Sequence, residues 1–212
     1  MATCRVPAES IEIAVMAKAP VSGYAKTRLI PTLGAAAAAR LHRQLTLRTL
    51  ATIHAAGIGA TTVWCAPDAG HRFFRALRQR CGLPLRAQAD GDIGQRMAHV
   101  FAAGGGQPLL LVGTDCPALN AGHLRQAAAA LRCVDAVFIS TEDGGYCLVG
   151  LQQPAPELFD DIAWSTAEVM ARTRDRLARL GLSWKEVAML WDVDRPEDVA
   201  RWQALRQQEA DA

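Results

Sequence analysis

Three cations stand close together early in the chain. The segment Lys18-Ala19-Pro20-Val21-Ser22-Gly23-Tyr24-Ala25-Lys26-Thr27-Arg28-Leu29 contains Lys18, Lys26 and Arg28, one glycine and no acid. Ammonium and guanidinium donors suit a di- or triphosphate, and Gly23 would let backbone amides approach its oxygens. A solvated basic loop has the same composition. A carboxylate follows in Gly113-Thr114-Asp115-Cys116-Pro117. Asp115 could hold Mg²⁺ or Mn²⁺ between two phosphates, because hard cations prefer oxygen ligands, or it could simply order the turn before Pro117. Asp192 and Asp194, in Trp191-Asp192-Val193-Asp194, could complete such a metal site. Asp194 with Glu197 three residues later also spells a helix N-cap box. Glu142-Asp143-Gly144-Gly145-Tyr146 is first a hairpin turn, and then a place where Asp143 could act as a base and Tyr146 could meet an acceptor.

Other nucleotide and catalytic patterns are missing. No G-x-x-x-x-G-K-[ST] string occurs, and Gly57-Ile58-Gly59 precedes a strand rather than following one, so neither a P-loop nor a dinucleotide fingerprint is supported. Asp90-Gly91-Asp92 matches a D-x-D pattern but makes a good turn, and is assigned to a loop. His42, His54, His71, His99 and His123 show no metal-ligand spacing and are expected on helix surfaces. Ser22, Ser140 and Ser165 lack a G-x-S-x-G context.

The elements needed to position these residues alternate between strand and helix. Ile11 to Ala17, Ala60 to Cys65, Leu83 to Ala87 and Pro108 to Thr114 read as strands; Gly34 to Ala56, Gly70 to Arg80, Ile93 to Ala103 and Gly122 to Leu131 read as helices. The unbroken apolar run ending at Thr114 is what a central parallel strand requires. Asp135 to Thr141 and Tyr146 to Leu151 follow without an intervening helix, joined at Asp143-Gly144-Gly145. Ser165-Thr166-Ala167-Glu168 reads as a capping box opening a helix to Leu180, with Gly181 as its cap. Lys185 to Trp191 is a last strand, and Pro196 opens a terminal helix. The pattern predicts an α/β fold, a mainly parallel sheet with an antiparallel hairpin insertion and helices on both faces. Ligands collect at the carboxyl ends of such strands, where Lys18, Asp115 and Asp194 fall.

Composition narrows the class. The chain has 212 residues, half of them apolar, and 23 Lys and Arg against 21 Asp and Glu. One globular domain over 1–212 is expected, and the balanced charge does not call for nucleic acid or a membrane surface. No apolar stretch approaches the ~20 residues of a membrane span, and no signal-peptide core forms near Arg5. Six cysteines (Cys4, Cys65, Cys81, Cys116, Cys133, Cys147) form no C-x-x-C pair and read as reduced, mostly buried thiols. A cytoplasmic enzyme or binding protein is expected.

Taken in order, MAKAPVSGYAKTRL, GDIGQRM, LLLVGTDCPAL, EDGGYCLVGL, WST and DVDRPEDV resemble the small bacterial GT-A-fold transferases of the arsenosugar-biosynthesis glycosyltransferase type. Those proteins are related in fold to nucleotidyltransferases such as the molybdenum-cofactor and 2-phospho-lactate guanylyltransferases. The resemblance covers most of the chain and implies a single-domain, three-layer nucleotide-diphospho-sugar transferase fold. It implies that Lys18, Lys26 and Arg28 meet nucleotide phosphates, that Gly94 and Arg96 lie beside the nucleoside, and that Asp115 binds metal with Asp194 as a second ligand. It places Asp143, Tyr146, Trp164 and Thr166 near the acceptor. Two positions depart from the family pattern: Arg195 stands where Thr is usual, and Cys147 where an aromatic is usual. The expected activity is Mg²⁺- or Mn²⁺-dependent transfer of a sugar from a nucleoside-diphosphate sugar to a small acceptor. Nucleotidyl transfer from a nucleoside triphosphate to a small phosphate, and a non-catalytic nucleotide-binding module, are the alternatives, because one fold hosts several chemistries.

Overall fold

The computed structural model describes residues 11–211, so Cys4 and Arg5 lie outside the described residues. Strands β1 (Glu12–Lys18), β2 (Thr61–Ala66), β3 (Leu85–Ala87), β4 (Leu109–Val112), β5 (Ala136–Thr141), β6 (Tyr146–Leu151) and β7 (Trp184–Leu190) form one sheet in the order β3-β2-β1-β4-β6-β5-β7. Every neighbouring pair is parallel except those that β6 makes with β4 and β5. The Asp143-Gly144-Gly145 turn reverses the chain after β5 and inserts β6 between two parallel strands. The sheet is therefore mainly parallel with an antiparallel insertion, as the alternation of elements predicts.

Period-two side-chain placement divides the core into two layers. Ile13 and Val15 of β1, with Val137 and Ile139 of β5, face α2 (Ala35–Ala56) and α5 (Ala121–Leu131) through Ile53, Leu124 and Leu131. Ala14 of β1 and Phe138 of β5 face the other way, onto Met97, Val100 and Phe101 of α4 (Ile93–Ala103) and Met170 and Leu177 of α6 (Val169–Arg179). All four residues of β4 are buried, as expected of a strand covered on both faces. A third, smaller core joins Leu29, Leu41 and Leu45 to Trp191, Val193 and Trp202. It clamps the end of the cationic loop against α7 (Pro196–Ala210). The one-turn α1 (Ile30–Leu33) and α3 (Arg72–Cys81) complete the helices.

Helix ends show where local signals were overridden. Asp92 caps α4, accepting from Gln95 N at 2.8 Å while Gln95 returns a bond to Asp92 N, which bears out the loop role of Asp90-Gly91-Asp92. The box at Ser165–Glu168 does not form. Helix α6 begins only at Val169, Ser165 has φ +63°, and the Thr166 hydroxyl donates to the Ala163 carbonyl at 2.7 Å. Tertiary contact decides this, since Met170 N donates to Gly144 O at 2.8 Å and ties the first turn to the β5–β6 hairpin. The far end is closed as expected. Gly181 N bonds Ala178 O and Leu182 N bonds Leu177 O, with Gly181 at φ +66°. At α7 the cap is shifted by one residue. Asp198 accepts from Arg195 N at 2.7 Å and from Asp194 N at 3.0 Å, so Asp194 and Glu197 do not form the box.

Candidate functional site

Because β1, β2, β3 and β4 run parallel, their carboxyl ends open on one edge of the sheet, where β7 also ends and antiparallel β6 begins. A cleft of ≈ 620 Å³ lies there and is lined by Lys18, Lys26, Arg28, Arg96, Asp115, Tyr146 and Asp194 among others. A second cavity of ≈ 420 Å³, lined by Asp143 and Thr166, shares Arg28, Ser165, Asp192 and Asp194 with the cleft. The predicted phosphate and metal residues therefore meet in one place, and two of the predicted acceptor-side residues stand next door.

Lys26 is the centre of the arrangement. Its backbone is left-handed, with φ +50°, a conformation that costs a non-glycine residue on the order of 1 kcal/mol or more. Its side chain is 4% exposed, and Nζ lies 2.9 Å from Asp115 Oδ1 and 3.8 Å from Asp194 Oδ1. Arg28 pairs with Asp194 from the solvent side. The two acids come from loops far apart in sequence, joined by a backbone bond of 2.9 Å from Val193 N to Asp115 O. Ser165, another non-glycine residue with positive φ, also lines the cleft. Strain of this kind concentrates at ligand sites.

Asp115 Oδ1 is buried, whereas the side chain as a whole is 46% exposed, so the rest of the carboxylate opens to the cleft. Burial pushes this carboxyl up, but the Lys26 charge and then contact with His42 outweigh it and hold Asp115 well below the usual carboxylate range. His42 corrects the expectation of a surface histidine. It is buried on the inner face of α2, donates from Nε2 to Lys18 O at 2.9 Å and places Nδ1 3.6 Å from Asp115 Oδ1. Nδ1, Lys26 Nζ and Asp115 Oδ1 are all buried and lie together without aligned hydrogen bonds. Asp192 is raised to about 6, first by burial and then by the neighbouring Asp143 carboxylate. Burial also pushes the Tyr146 phenol far up; its hydroxyl faces Met97 Sδ at 3.9 Å.

Asp143 orders the hairpin, accepting from Thr141 Oγ1 at 2.6 Å and Gly145 N at 3.0 Å. Both bonds fall on Oδ1, so Oδ2 is the oxygen left for another partner. Gly94 and Trp164 serve each other. A Cβ on Gly94 would stand 2.6 Å from Trp164 Nε1, and neither residue lines either cavity. Trp164 also packs edge-on to Tyr146, with ring centroids 6.5 Å apart. Gly23 has φ +85° and makes the turn that delivers Lys26, without lining the cleft itself.

Cleft residues to which the sequence gives no site role include His42, Tyr24 and Gln88. His42 was legible in principle. It follows Ala38 and precedes Thr46 by one helical step each, on the buried stripe of α2. Gln88 spends its amide on Ala17 O and Trp64 O, a tertiary contact that leaves no local pattern. Among the described residues, no group of three or more His, Cys, Asp or Glu is placed to hold a metal by itself.

The comparisons agree with this architecture. A candidate nucleotide-diphospho-sugar transferase from Desulfovibrio desulfuricans G20 superposes with TM-score 0.80 at 26% identity, covering 88% of this chain and 84% of that one. CMP:2-keto-3-deoxy-manno-octonic acid synthetase, solved with CTP, has TM-score 0.61 at 14% identity, covering 95% of this chain and 100% of that one. 4-Diphosphocytidyl-2C-methyl-D-erythritol synthase from Anaerococcus prevotii DSM 20548 has TM-score 0.64 at 11% identity, covering 93% and 96%. The last two likenesses show the fold alone. No curated protein matches the sequence. The family described as "Uncharacterized protein conserved in bacteria (DUF2064)" matches residues 49–166, more than half of the chain, and the protein belongs to that family.

Proposed function

We propose that this protein transfers a sugar from a nucleoside-diphosphate sugar to a small acceptor, with Mg²⁺ or Mn²⁺. The observation that carries the reading is the buried Lys26 ammonium between Asp115 and Asp194, at the carboxyl end of the sheet and beside a second cavity. The likeness to the Desulfovibrio protein supports sugar transfer over the other chemistries of the fold.

Lys18, Lys26, Arg28 and Arg96 would hold the diphosphate and nucleoside, and the turn at Gly23 would bring backbone amides toward the phosphates. The donor set suits a hard cation that keeps waters and arrives with phosphate oxygens, since two carboxylates flank one point and the described residues form no all-protein cage. Asp115 and Asp194 would hold that cation, which supplies neutralisation of charge on the departing diphosphate. Lys26 and Arg28 add fixed positive charge to the same leaving group. On the acceptor side, the hydroxyl oxygen bonds to the sugar carbon as its bond to diphosphate oxygen breaks. Asp143 Oδ2 takes the hydroxyl proton. Tyr146 and Thr166 would bound the acceptor, with Trp164 holding Tyr146.

The test is a panel of nucleotide sugars and nucleoside triphosphates, each with and without Mn²⁺, read by thermal shift and by phosphate products. Release of a nucleoside diphosphate from a nucleotide sugar is expected. Pyrophosphate release from a triphosphate and a sugar phosphate would replace this reading with nucleotidyl transfer. Binding with no turnover on any donor would leave a nucleotide-sensing module.

A further inference from the structure

Against the start of the cationic loop, and sharing no lining residue with the cleft, lies a groove of ≈ 680 Å³, walled by α2, α3 and the Pro20–Ser22 turn. Arg40, Arg43 and Arg72 line it, together with His71, and no acid does. Several arginines elsewhere are matched: Arg48 grips Glu209, Arg174 grips Glu186 and Arg201 grips Glu142, each through two hydrogen bonds. Arg40, Arg43 and Arg72 make no hydrogen bond or ion pair among the described residues. The sequence around them offers no counter-charge. From Ile13 to Ala89 there are eleven Lys and Arg and a single acid, Asp68, whose carboxylate is used by Gly70 N at 2.7 Å.

We propose that this groove is a second binding site, for a small molecule carrying two or more phosphate groups. Guanidinium groups present planar forks that match phosphate oxygens, and three of them in one concavity lack any internal partner. The floor is apolar, formed by Val21, Ala39 and Phe73, and would cover the carbon portion of such a ligand. The volume falls within the ~300–1,000 Å³ of small-molecule sites. A small molecule fits because the three guanidinium groups converge on one concavity of small-molecule size. Arg75 and Arg78, farther along α3, line a different cavity from Arg72. The groove and the cleft share the loop that begins at Pro20, so occupancy of one bears on the position of Lys26 in the other. The proposal does not depend on which transfer the cleft performs.

The experiment is calorimetric titration of the full chain with inorganic tripolyphosphate at ~0.15 M salt, a concentration that screens diffuse surface attraction over ~8 Å. A saturable site is expected that survives Lys26→Gln/Arg28→Gln and weakens at least tenfold in Arg40→Gln/Arg43→Gln/Arg72→Gln. Ala36→Glu provides a second variant, placing a negative charge in the groove at an exposed first-turn position where an acid favours the helix. It should fold as well as wild type and lose the same site. Unchanged titrations in both groove variants would overturn the proposal, as would a wild-type signal that disappears at this salt. A single-stranded RNA that loses affinity in the triple variant, while tripolyphosphate does not bind, would overturn it in favour of a nucleic-acid surface.

Discussion

The acids around the cleft and its neighbouring cavity have similar side chains and different duties, set by what each oxygen touches. Asp198 spends its carboxylate on the backbone amides of Asp194 and Arg195, which is cap chemistry. Asp194 is thereby released from the helix and faces Lys26 and Arg28 instead. The two should separate in experiment. Asp198→Ala is expected to lower stability by ~1 kcal/mol, the usual cost of a lost N-cap. Asp194→Asn should leave the metal-free melting temperature within a degree or two of wild type and reduce the extra stabilisation by Mn²⁺ with nucleotide. A melting series of both variants, with and without Mn²⁺ and nucleotide, checks this. Full Mn²⁺ response in Asp194→Asn would leave Asp115 as the only metal-binding acid. Arg195 stands at the N-cap of α7 and its side chain has no acceptor with which to cap the helix, which leaves the capping to Asp198.

Elements bring these residues together, and that is where the sequence was only partly legible. The apolar run at β4 and the Asp143-Gly144-Gly145 turn are signals contained in a few adjacent residues, so the mainly parallel sheet and its hairpin could be read directly. The site was legible at Asp115 and Lys26 because strand ends in this fold are ligand positions. The start of α6 was not, because the contact between Met170 N and Gly144 O crosses 26 positions and overrides the local box. Gly94 shows the same limit. The family resemblance implies a place for Gly94 beside the nucleoside, yet its missing side chain is required by Trp164. Gly94→Ala would force a Cβ to within 2.6 Å of the indole and 2.8 Å of Phe159 O. A loss of ~1–3 kcal/mol in denaturant unfolding is expected, typical of overpacking. Wild-type stability with weakened nucleotide binding would return Gly94 to the nucleotide loop.

A second element-scale prediction concerns pH. Arg174 on α6 holds Glu186 on β7 through two bonds of 2.7 Å, and this pairing, opposed by partial burial, lowers the Glu186 carboxyl from its ordinary range. A depressed folded-state value means that the bond stabilises the fold above the unfolded carboxylate's ~4.3 and is lost as pH falls below it. Glu186→Gln should therefore narrow the stability gap between pH 6 and pH 3.5 by ~1 kcal/mol or less, the scale of a partly exposed pair. Equal acid sensitivity in the variant and the wild type would show that the pair contributes nothing.

At the scale of the whole molecule, a net charge of +2 conceals a division. Residues Ile13 to Ala89 carry eleven cations and one acid, whereas Asp90 to Ala212 carry eleven cations and eighteen acids. The fold turns this sequence asymmetry into a spatial one, since the first segment supplies β1–β3, α2 and α3, and the second supplies the acids of the cleft's other wall. The cleft thus opens between a basic wall bearing Lys18, Lys26 and Arg28 and an acidic wall bearing Asp115, Asp192 and Asp194. A phosphorylated ligand approaching the basic wall is attracted over roughly a Debye length, ~10 Å at 0.1 M salt and ~30 Å at 0.01 M. The overall charge would predict little salt sensitivity; the divided charge predicts a good deal. Nucleoside diphosphate affinity, measured in the Arg40→Gln/Arg43→Gln/Arg72→Gln variant to isolate the cleft, should weaken roughly tenfold between ~0.02 M and ~0.2 M salt, with most of the change in the association rate. The uncharged nucleoside should bind equally well at both. If diphosphate and bare nucleoside respond alike to salt, the cations of the loop are spent on Asp115 and Asp194 and do not attract the ligand. The basic wall would then be a property of the fold's surface and not of its site.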